Sequence, residues 1–493
     1  MGLLQKYLPN TLVWAFGSRV KFTANTNSDL DLVAFITEKQ KLSFSLLKEA
    51  FAESNLPFKV DLHDWNDLPE NFKKNIESSF LVLQVDKKEV LPNAWKTYTL
   101  GKDVVNKLGD GLHGTPIYDD YGEYYFINGS NLVDGKIVIN SNTQKVSKEE
   151  FVKYKKDLSD KTILLGINGT IGNVALYNNE LCILGKSAAY LNINDDFDKQ
   201  FIRYVLTNDH FQNYIKNNAS GTTIKNVGLG LLREYEFSAP EDKAQQQEIA
   251  QILTSLDDKI ELNLQMNQTL EAMAQALFKE WFVNFNFPNF DGELKDGLPK
   301  GWKIGSILEI AELLSGGTPK TDVPEYWNGN INWISAKDIT NYNSQFIIDT
   351  EKSITELGVS KSATKLLPKN TTIISARGTV GNYCILSKEM AISQSNYGLK
   401  SNSNFDYFLF LMVENMILMM KAFSYGTVFD TITTKTFQEM EVTIPNEAVI
   451  KDFERVITPL YEKILTNQFQ IQSLTQTRDT LLPKLMSGQI AVV

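Results

Sequence analysis

The sequence predicts a mixed α/β chain: an unrepeated N-terminal α/β domain, two related α/β domains, and two long helices paired as an antiparallel coiled coil. Three observations predict it. Short motifs recur in the same order at an offset of about 204 residues. Val-, Ile- and Thr-rich runs broken by Gly and Asn alternate with long amphipathic stretches. Those stretches carry apolar residues at strict 4-3 spacing. The predicted divisions are 1–92, 93–242, 243–286 (first helix), 287–445 and 446–493 (second helix), in keeping with about three globular domains for 493 residues.

Composition narrows the function classes. Hydrophobic residues make up 43% and charged ones 22%, enough to build buried cores rather than a disordered chain. The net charge of −10 excludes a strongly basic, DNA-coating protein, so any nucleic-acid contact must come from local patches. Cys182 and Cys384 lie far apart, which excludes a disulfide framework and suits a reducing, cytoplasmic setting. The three histidines are scattered, against a zinc site of the His/Cys type. The N-terminus has no signal-peptide core. The most apolar run, 407–423, is interrupted by Glu414 and Asn415 and reads as a buried helix, so no membrane association is expected.

In residues 1–92, TLVWAF reads as a strand ending at Gly17-Ser18-Arg19. A second strand, DLDLVAF, puts Asp29 and Asp31 on one face, and Asp61 follows in KVDLHDW. Convergent carboxylates beside a Gly-Ser turn can hold Mg²⁺ and a nucleoside triphosphate for nucleotidyl transfer. The candidate catalytic residues are Ser18, Asp29, Asp31 and Asp61. The three aspartates are the candidate metal ligands, and Gly17, Ser18 and Arg19 are the candidate nucleotide cradle. Without the Gly-Ser turn, two carboxylates on a strand would be no more than a solvated face.

From residue 93 onward the chain repeats. Gly114-Thr115-Pro116 recurs as Gly317-Thr318-Pro319, Gly169-Thr170-Ile171-Gly172-Asn173 as Gly378-Thr379-Val380-Gly381-Asn382, and Gly221-Thr222 as Gly426-Thr427. Each repeat begins with a strand-rich domain and continues into a helix, entered after Pro240 and Pro445; Pro288 closes the first helical stretch. The first seam runs Ile249, Leu253, Leu256, Ile260, Asn263, Asn267, Leu270, Ala274, Leu277, Trp281. The second runs Phe453, Ile457, Leu460, Ile464, Asn467, Ile471, Leu474, Arg478, Leu481, Leu485. The alternative is two separate helices, each packed on its own domain. Asn263 and Asn467 occupy equivalent seam positions, and a buried Asn fixes register when it finds a polar partner, so they are expected to face each other near a pseudo-twofold axis.

Two similar readers on a rigid spacer suit duplex DNA, which has approximate dyad symmetry. They would read two half-sites separated by unread base pairs. The readers differ outside the shared motifs, so the half-sites would differ too.

Residues 93–493 resemble the specificity subunit of type I restriction–modification systems. The features that carry the resemblance are the openings WKTYTLGKDVVNKLGDGLHGTP and GWKIGSILEIAELLSGGTP, the NGTIGN and RGTVGN turns, SGTTIKNV and YGTVFDTI, and the tail LLPKLMSGQI. The resemblance implies two target-recognition domains on double-stranded DNA, a coiled coil that docks two adenine methyltransferase subunits, and restriction and motor subunits in the full complex. S-adenosylmethionine, ATP and Mg²⁺ would belong to those partners, and the specificity part itself would be non-catalytic and without cofactor. In keeping with this, residues 93–493 show no Walker phosphate loop and no metal-ligand cluster.

The candidate DNA-contact residues are Asn168, Thr170, Thr222, Thr223, Lys225, Lys337, Arg377, Thr379, Thr427 and Lys435, since Arg and Lys pair with guanine and Asn with adenine at major-groove edges. For each, the alternative is a capped turn or a solvated surface side chain. Residues 1–90 look like a minimal nucleotidyltransferase domain of the sort found with toxin–antitoxin pairs. That family often has Arg-Gly where this chain has Lys21-Phe22, a departure that bears on loop geometry and activity. Two readings of this domain remain: an active transferase, or a degenerate docking or regulatory module. A reading of the whole chain from a different class makes it chiefly a nucleotidyltransferase, such as an AMP-transferring regulator, localised by DNA-binding domains.

Overall fold

A computed structural model describes the chain except residues 1, 10, 21–27, 55, 57, 78–79, 85–94, 222–224, 343, 379, 424–430, 491 and 493. It divides into two compact units. One comprises residues 1–105, 230–243 and 487–491; the other comprises 106–229, 244–486 and 492–493.

In the first unit, a four-stranded sheet runs in the order Val60–Asp64, Leu30–Ala34, Val13–Phe16, Leu81–Gln84. Leu30–Ala34 is antiparallel to Val13–Phe16 and parallel to Val60–Asp64. Strand alternation sorts its side chains. Val13, Ala15 and Leu32 pack with Leu4 and Leu47 from helices Gly2–Tyr7 and Lys41–Ala52, and with Leu8 just beyond the first helix. Phe16 and Val33 pack with Ile76 in a second cluster that Trp14, Phe35 and Trp65 adjoin. This unit also contains the antiparallel pair Trp95–Thr99 and Glu236–Pro240.

The second unit holds two domains with one strand order. In the first reader a sheet runs Val105–Asp110, Ala188–Ile193, Thr162–Gly166, Val174–Leu176. In the second reader the corresponding sheet runs Ala311–Ser315, Asn396–Ser401, Thr372–Ser375, Tyr383–Leu386, with Phe346–Ile347 added at the edge. The smaller sheets correspond as well. Tyr124–Ile127 pairs parallel with Cys182–Leu184 and antiparallel with Lys145–Val146; Trp327–Ile334 does the same with Met390–Ile392 and Lys352–Ile354. The duplication is therefore one of backbone topology as well as of motifs. At one point the structure corrects the alignment. Leu112 N–H donates to Leu184 O as Gly317 N–H donates to Ile392 O, so Gly317 corresponds to Leu112 rather than to Gly114.

The helices run Lys243–Phe278 and Glu447–Met486. At ~1.5 Å per residue they are about 54 and 60 Å long. Asp257 contacts Arg478, Asn263 contacts Gln470, and Asn267 contacts Asn467, so one helix descends as the other ascends: the pair is antiparallel. Ile249, Leu253, Asn263, Asn267 and Ala274 of the first seam are buried, as are Phe453, Ile457, Ile464, Asn467 and Leu485 of the second. Near one end Phe453 packs against Phe278, Trp281 and Phe282.

The expected Asn263–Asn467 contact is not formed. Asn467 Nδ2 donates to Asn267 Oδ1 at 2.8 Å, and Asn263 Nδ2 donates to Gln470 Oε1 at 3.2 Å. Equivalent positions of an antiparallel repeat meet only at the pseudo-twofold itself. The observed pairs put that point near Gln265 and Phe469, so Asn263 and Asn467 lie on either side of it and each finds a different partner.

The apolar run forms helix Asp406–Phe423, buried from Tyr407 to Ile417 except at Asn415. Among the described residues no helix is long and apolar enough to cross a membrane.

Candidate nucleic-acid interface and N-terminal site

Each reader presents the same turn. In NGTIGN, Gly169 and Gly172 have φ of +74° and +89°; in RGTVGN, Gly378 and Gly381 have +83° and +82°. This left-handed backbone is open to glycine at little cost, which is why the motif survives in both copies. Gly166 N–H donates to Asn173 O and Gly172 N–H to Gly166 O; Ser375 with Asn382 and Gly381 with Ser375 repeat the two bonds.

In the first reader the structure brings Asn168, Thr170 and Lys225 together. Asn168 Nδ2 donates to Asn226 Oδ1 at 3.2 Å, Gly169 N–H donates to the Lys225 carbonyl, and Thr170 is exposed on the same turn. A cleft of about 280 Å³ opens beside them, lined by Asp110, His113, Asn168, Lys186 and Asn226. His113 Nε2 lies 2.7 Å from Asp110 Oδ2. Lys186, Asn226, His113 and Asp110 were not singled out from sequence. The signal was present, because Lys186-Ser187 aligns with Gln394-Ser395 in the repeat.

In the second reader Arg377 is exposed on its turn. Lys337 and Lys435 differ from it: Lys337 Nζ lies 2.6 Å from Glu351 and Lys435 Nζ 3.3 Å from Glu439. Each of these lysines already has a carboxylate partner. Thr222, Thr223, Thr379 and Thr427 lie outside the described residues.

The readers are tied to the helices by polar contacts. In the first, Arg203 and Tyr204 bond to Asp257, which also accepts from Arg478 of the opposite helix at 3.0 Å. Burial alone would raise the Asp257 carboxyl; the Tyr204 and Arg478 hydrogen bonds and the Arg203 charge hold it below the usual range. In the second, Gln468 bonds to the Tyr342 hydroxyl at 3.0 Å and to Ser344 at 2.7 Å, and Glu454 accepts from the Tyr407 and Phe408 N–H groups. Tyr407 stacks on Tyr461 at 4.5 Å.

At the N-terminal site, Gly17 has φ +80°, and a Cβ there would collide with the Asp31 carboxylate. A glycine is thus required where strand Val13–Phe16 turns away. Asp31 and Asp61 are register partners on adjacent parallel strands. Burial first, then the Asp61 charge, push the Asp31 pKa up; His63 opposes this and Asp29 adds to it. Asp29 lies 4.0 Å from Lys59, and Asp61 lies 3.5 Å from His63. Among the described residues no group of three His, Cys, Asp or Glu side chains is gathered to hold one metal ion, though Asp31 feels the charges of both Asp61 and Asp29. The Asp31–Asp61 pair still fits Mg²⁺, which takes one or two carboxylates and completes its shell with phosphate oxygens and water. Arg19 donates to the Ser28 carbonyl at 3.0 and 2.6 Å while its guanidinium lies over the Phe58 ring. Ser18 follows Gly17 on the turn; Lys21 and Phe22 lie outside the described residues.

A duplicated pair of readers braced by antiparallel helices defines a two-headed recognition subunit. The chain belongs to the type I restriction modification DNA specificity domain family, whose profile matches residues 92–272 and 299–476. The polymerase beta nucleotidyltransferase profile matches residues 2–88. The chain is 26% identical over 466 residues to the type I restriction enzyme HindI specificity subunit of Haemophilus influenzae, covering 80% of this chain and 99% of that one. It is 25% identical over 427 residues to the MjaIX specificity subunit of Methanocaldococcus jannaschii, covering 82% and 95%. Its N-terminal part is 48% identical over 90 residues to the probable protein adenylyltransferase MntA of H. influenzae, covering 18% of this chain and 78% of that one. The crystal structure of a type I restriction-modification S subunit from M. genitalium shares the fold, with a TM-score of 0.55 at 19% identity over 81% of this chain and 97% of that one.

Proposed function

We infer that this chain is the DNA sequence-specificity subunit of a type I restriction–modification complex, reading a split, asymmetric target and docking two adenine methyltransferase subunits. The observation that carries it is the repeated reader topology on an antiparallel helix pair. One duplex offers two half-sites to two readers, and a rigid spacer fixes the gap between them. The cofactors S-adenosylmethionine, ATP and Mg²⁺ belong to partner subunits in this reading. The helices also leave large apolar side chains outside the seam: Leu262, Leu264 and Met273 on the first, Val456 and Phe469 on the second. Exposed apolar groups along a brace suit a permanent protein partner. Mapping methylated adenines in the host genome tests the reading. A split motif that vanishes when this gene is deleted supports it, and a motif that persists unchanged refutes it.

The N-terminal domain supports a second activity, nucleotidyl transfer. Asp31 and Asp61 would hold Mg²⁺ and the triphosphate, with Asp29 and Ser18 beside them. The metal would supply charge compensation at the phosphate, while Gly17 leaves the space that the triphosphate needs next to Asp31. Incubating the full chain with ATP labelled at the α-phosphate and Mg²⁺ tests this: an acceptor hydroxyl attacks the α-phosphorus, pyrophosphate leaves, and label should reach a protein acceptor and be lost in Asp29→Ala/Asp31→Ala. Absence of nucleotide binding with every divalent metal tried would retire it.

A further inference from the structure

The two readers share a backbone frame but not the side chains that stand on it. In the first, Ile167 N–H donates to Ser187 O at 2.9 Å and Val227 N–H to Ile167 O at 2.8 Å. In the second, Ala376 N–H donates to Ser395 O at 2.8 Å and Ile432 N–H to Ala376 O at 3.0 Å. These bonds put the two frames in register residue by residue. Asn168 and Lys186, which flank the first bond, correspond to Arg377 and Gln394, which flank its counterpart.

The chemistry at the two positions is exchanged. The first reader carries an amide at the turn and a cation across from it; the second carries a cation at the turn and an amide across from it. Lys186, Arg377 and Gln394 are exposed and Asn168 is half-exposed. Lys186 and Arg377 have no carboxylate partner among the described residues, whereas Lys337, Lys435, Lys136 and Lys161 each have one. In the first reader Asn168 and Lys186 line the same cleft. Arg and Lys donate to guanine O6 and N7, while Asn and Gln pair with adenine N6 and N7, so an exchange of amide and cation exchanges the preferred purine.

We propose that Asn168 and Lys186 in the first reader, and Arg377 and Gln394 in the second, are specificity-determining residues, and that their exchanged order makes the two half-sites differ at corresponding bases. This rests on the DNA-specificity reading above. The shared glycines of the turn hold the frame and are common to both readers; the discrimination lies in what replaces Asn168 and Lys186.

The test uses the full-length chain co-expressed with the modification subunits of its system, with methylated adenines mapped by single-molecule sequencing. Asn168→Arg/Lys186→Gln should alter bases in one half-site and leave the other half-site and the spacer unchanged. Lys186→Gln alone, at an exposed position outside the core, should relax discrimination at one base by about 10- to 100-fold. Gln394→Lys should act on the other half-site only. If the wild-type chain directs a split motif and neither single variant changes it, the assignment is overturned while the specificity reading stands. If the wild-type chain directs no split motif, both fall. Should the double variant lose all methylation, the two single variants still decide the matter, because each must change or preserve its own half-site.

Discussion

At the scale of single residues, the buried polar groups between the helices set the largest energetic stakes. Asn467 is fully buried, and its side-chain amide donates to Asn267 Oδ1. Asn467→Ala strands the Asn267 oxygen in an apolar seam and should cost about 1–3 kcal/mol, read as a lower denaturant midpoint at unchanged slope. Replacing Asn267 and Asn467 together by Leu removes both polar groups. That pair should recover most of the loss while relaxing register, because an unsatisfied group costs more than a missing one.

A second buried cluster makes stability depend on pH. Burial, reinforced by the Glu414 charge, pushes the Glu271 carboxyl up to about 7 from an ordinary value of 4.5. Glu414 accepts from Tyr383 and Gln275, and burial raises it too. Between those two pH values the folded chain keeps a proton that the unfolded chain has released. Stability therefore falls as pH rises from 4.5 to about 7 and levels off above it. Glu271→Gln removes the charge and should raise Tm at about pH 8 and flatten that decline. Part of the slope should remain, since burial also lifts Glu454 to about 7. Thermal scans across the interval check both statements; a slope identical to wild type would exclude Glu271 as its source.

At the scale of elements, the proposed function makes the helix pair a ruler. Its length was legible because the 4-3 spacing holds over both stretches. Its register was not. Equivalence within a repeat does not say which residues face each other in an antiparallel pair; Asn263 and Asn467 each lie two residues from the pseudo-twofold, so the partner of Asn467 is Asn267, four residues beyond Asn263. Inserting one heptad in each helix preserves the seam and lengthens the brace by about 10 Å, or about three base pairs of duplex. The unread gap of the methylated motif should grow accordingly, and a motif of unchanged spacing would refute the ruler.

At the scale of the whole molecule, the proposed function predicts that the readers and the N-terminal domain work separately. Exchanging residues 93–242 for the corresponding segment of another specificity subunit should replace one half-site and spare the other. Asp29→Ala/Asp31→Ala should leave the methylated motif untouched while abolishing label transfer from ATP. If the motif changed in that variant, the two activities would be coupled.

Sequence alone determined the duplication, the two long helices and the glycine-bearing turns, because each depends on local spacing or on a backbone conformation that few residues adopt. Only the tertiary structure decided which exposed cations are engaged and which polar groups meet. Lys337 and Lys435 look like DNA contacts until Glu351 and Glu439 are found beside them. Lys186 looks unremarkable until the frame places it across a cleft from Asn168. Glu439 reaches Lys435 only because the helix Thr434–Glu439 forms, and Glu351 and Lys186 reach their positions only when the strands pair, so a charge or an amide acquires its role from the partners that folding brings within hydrogen-bonding distance.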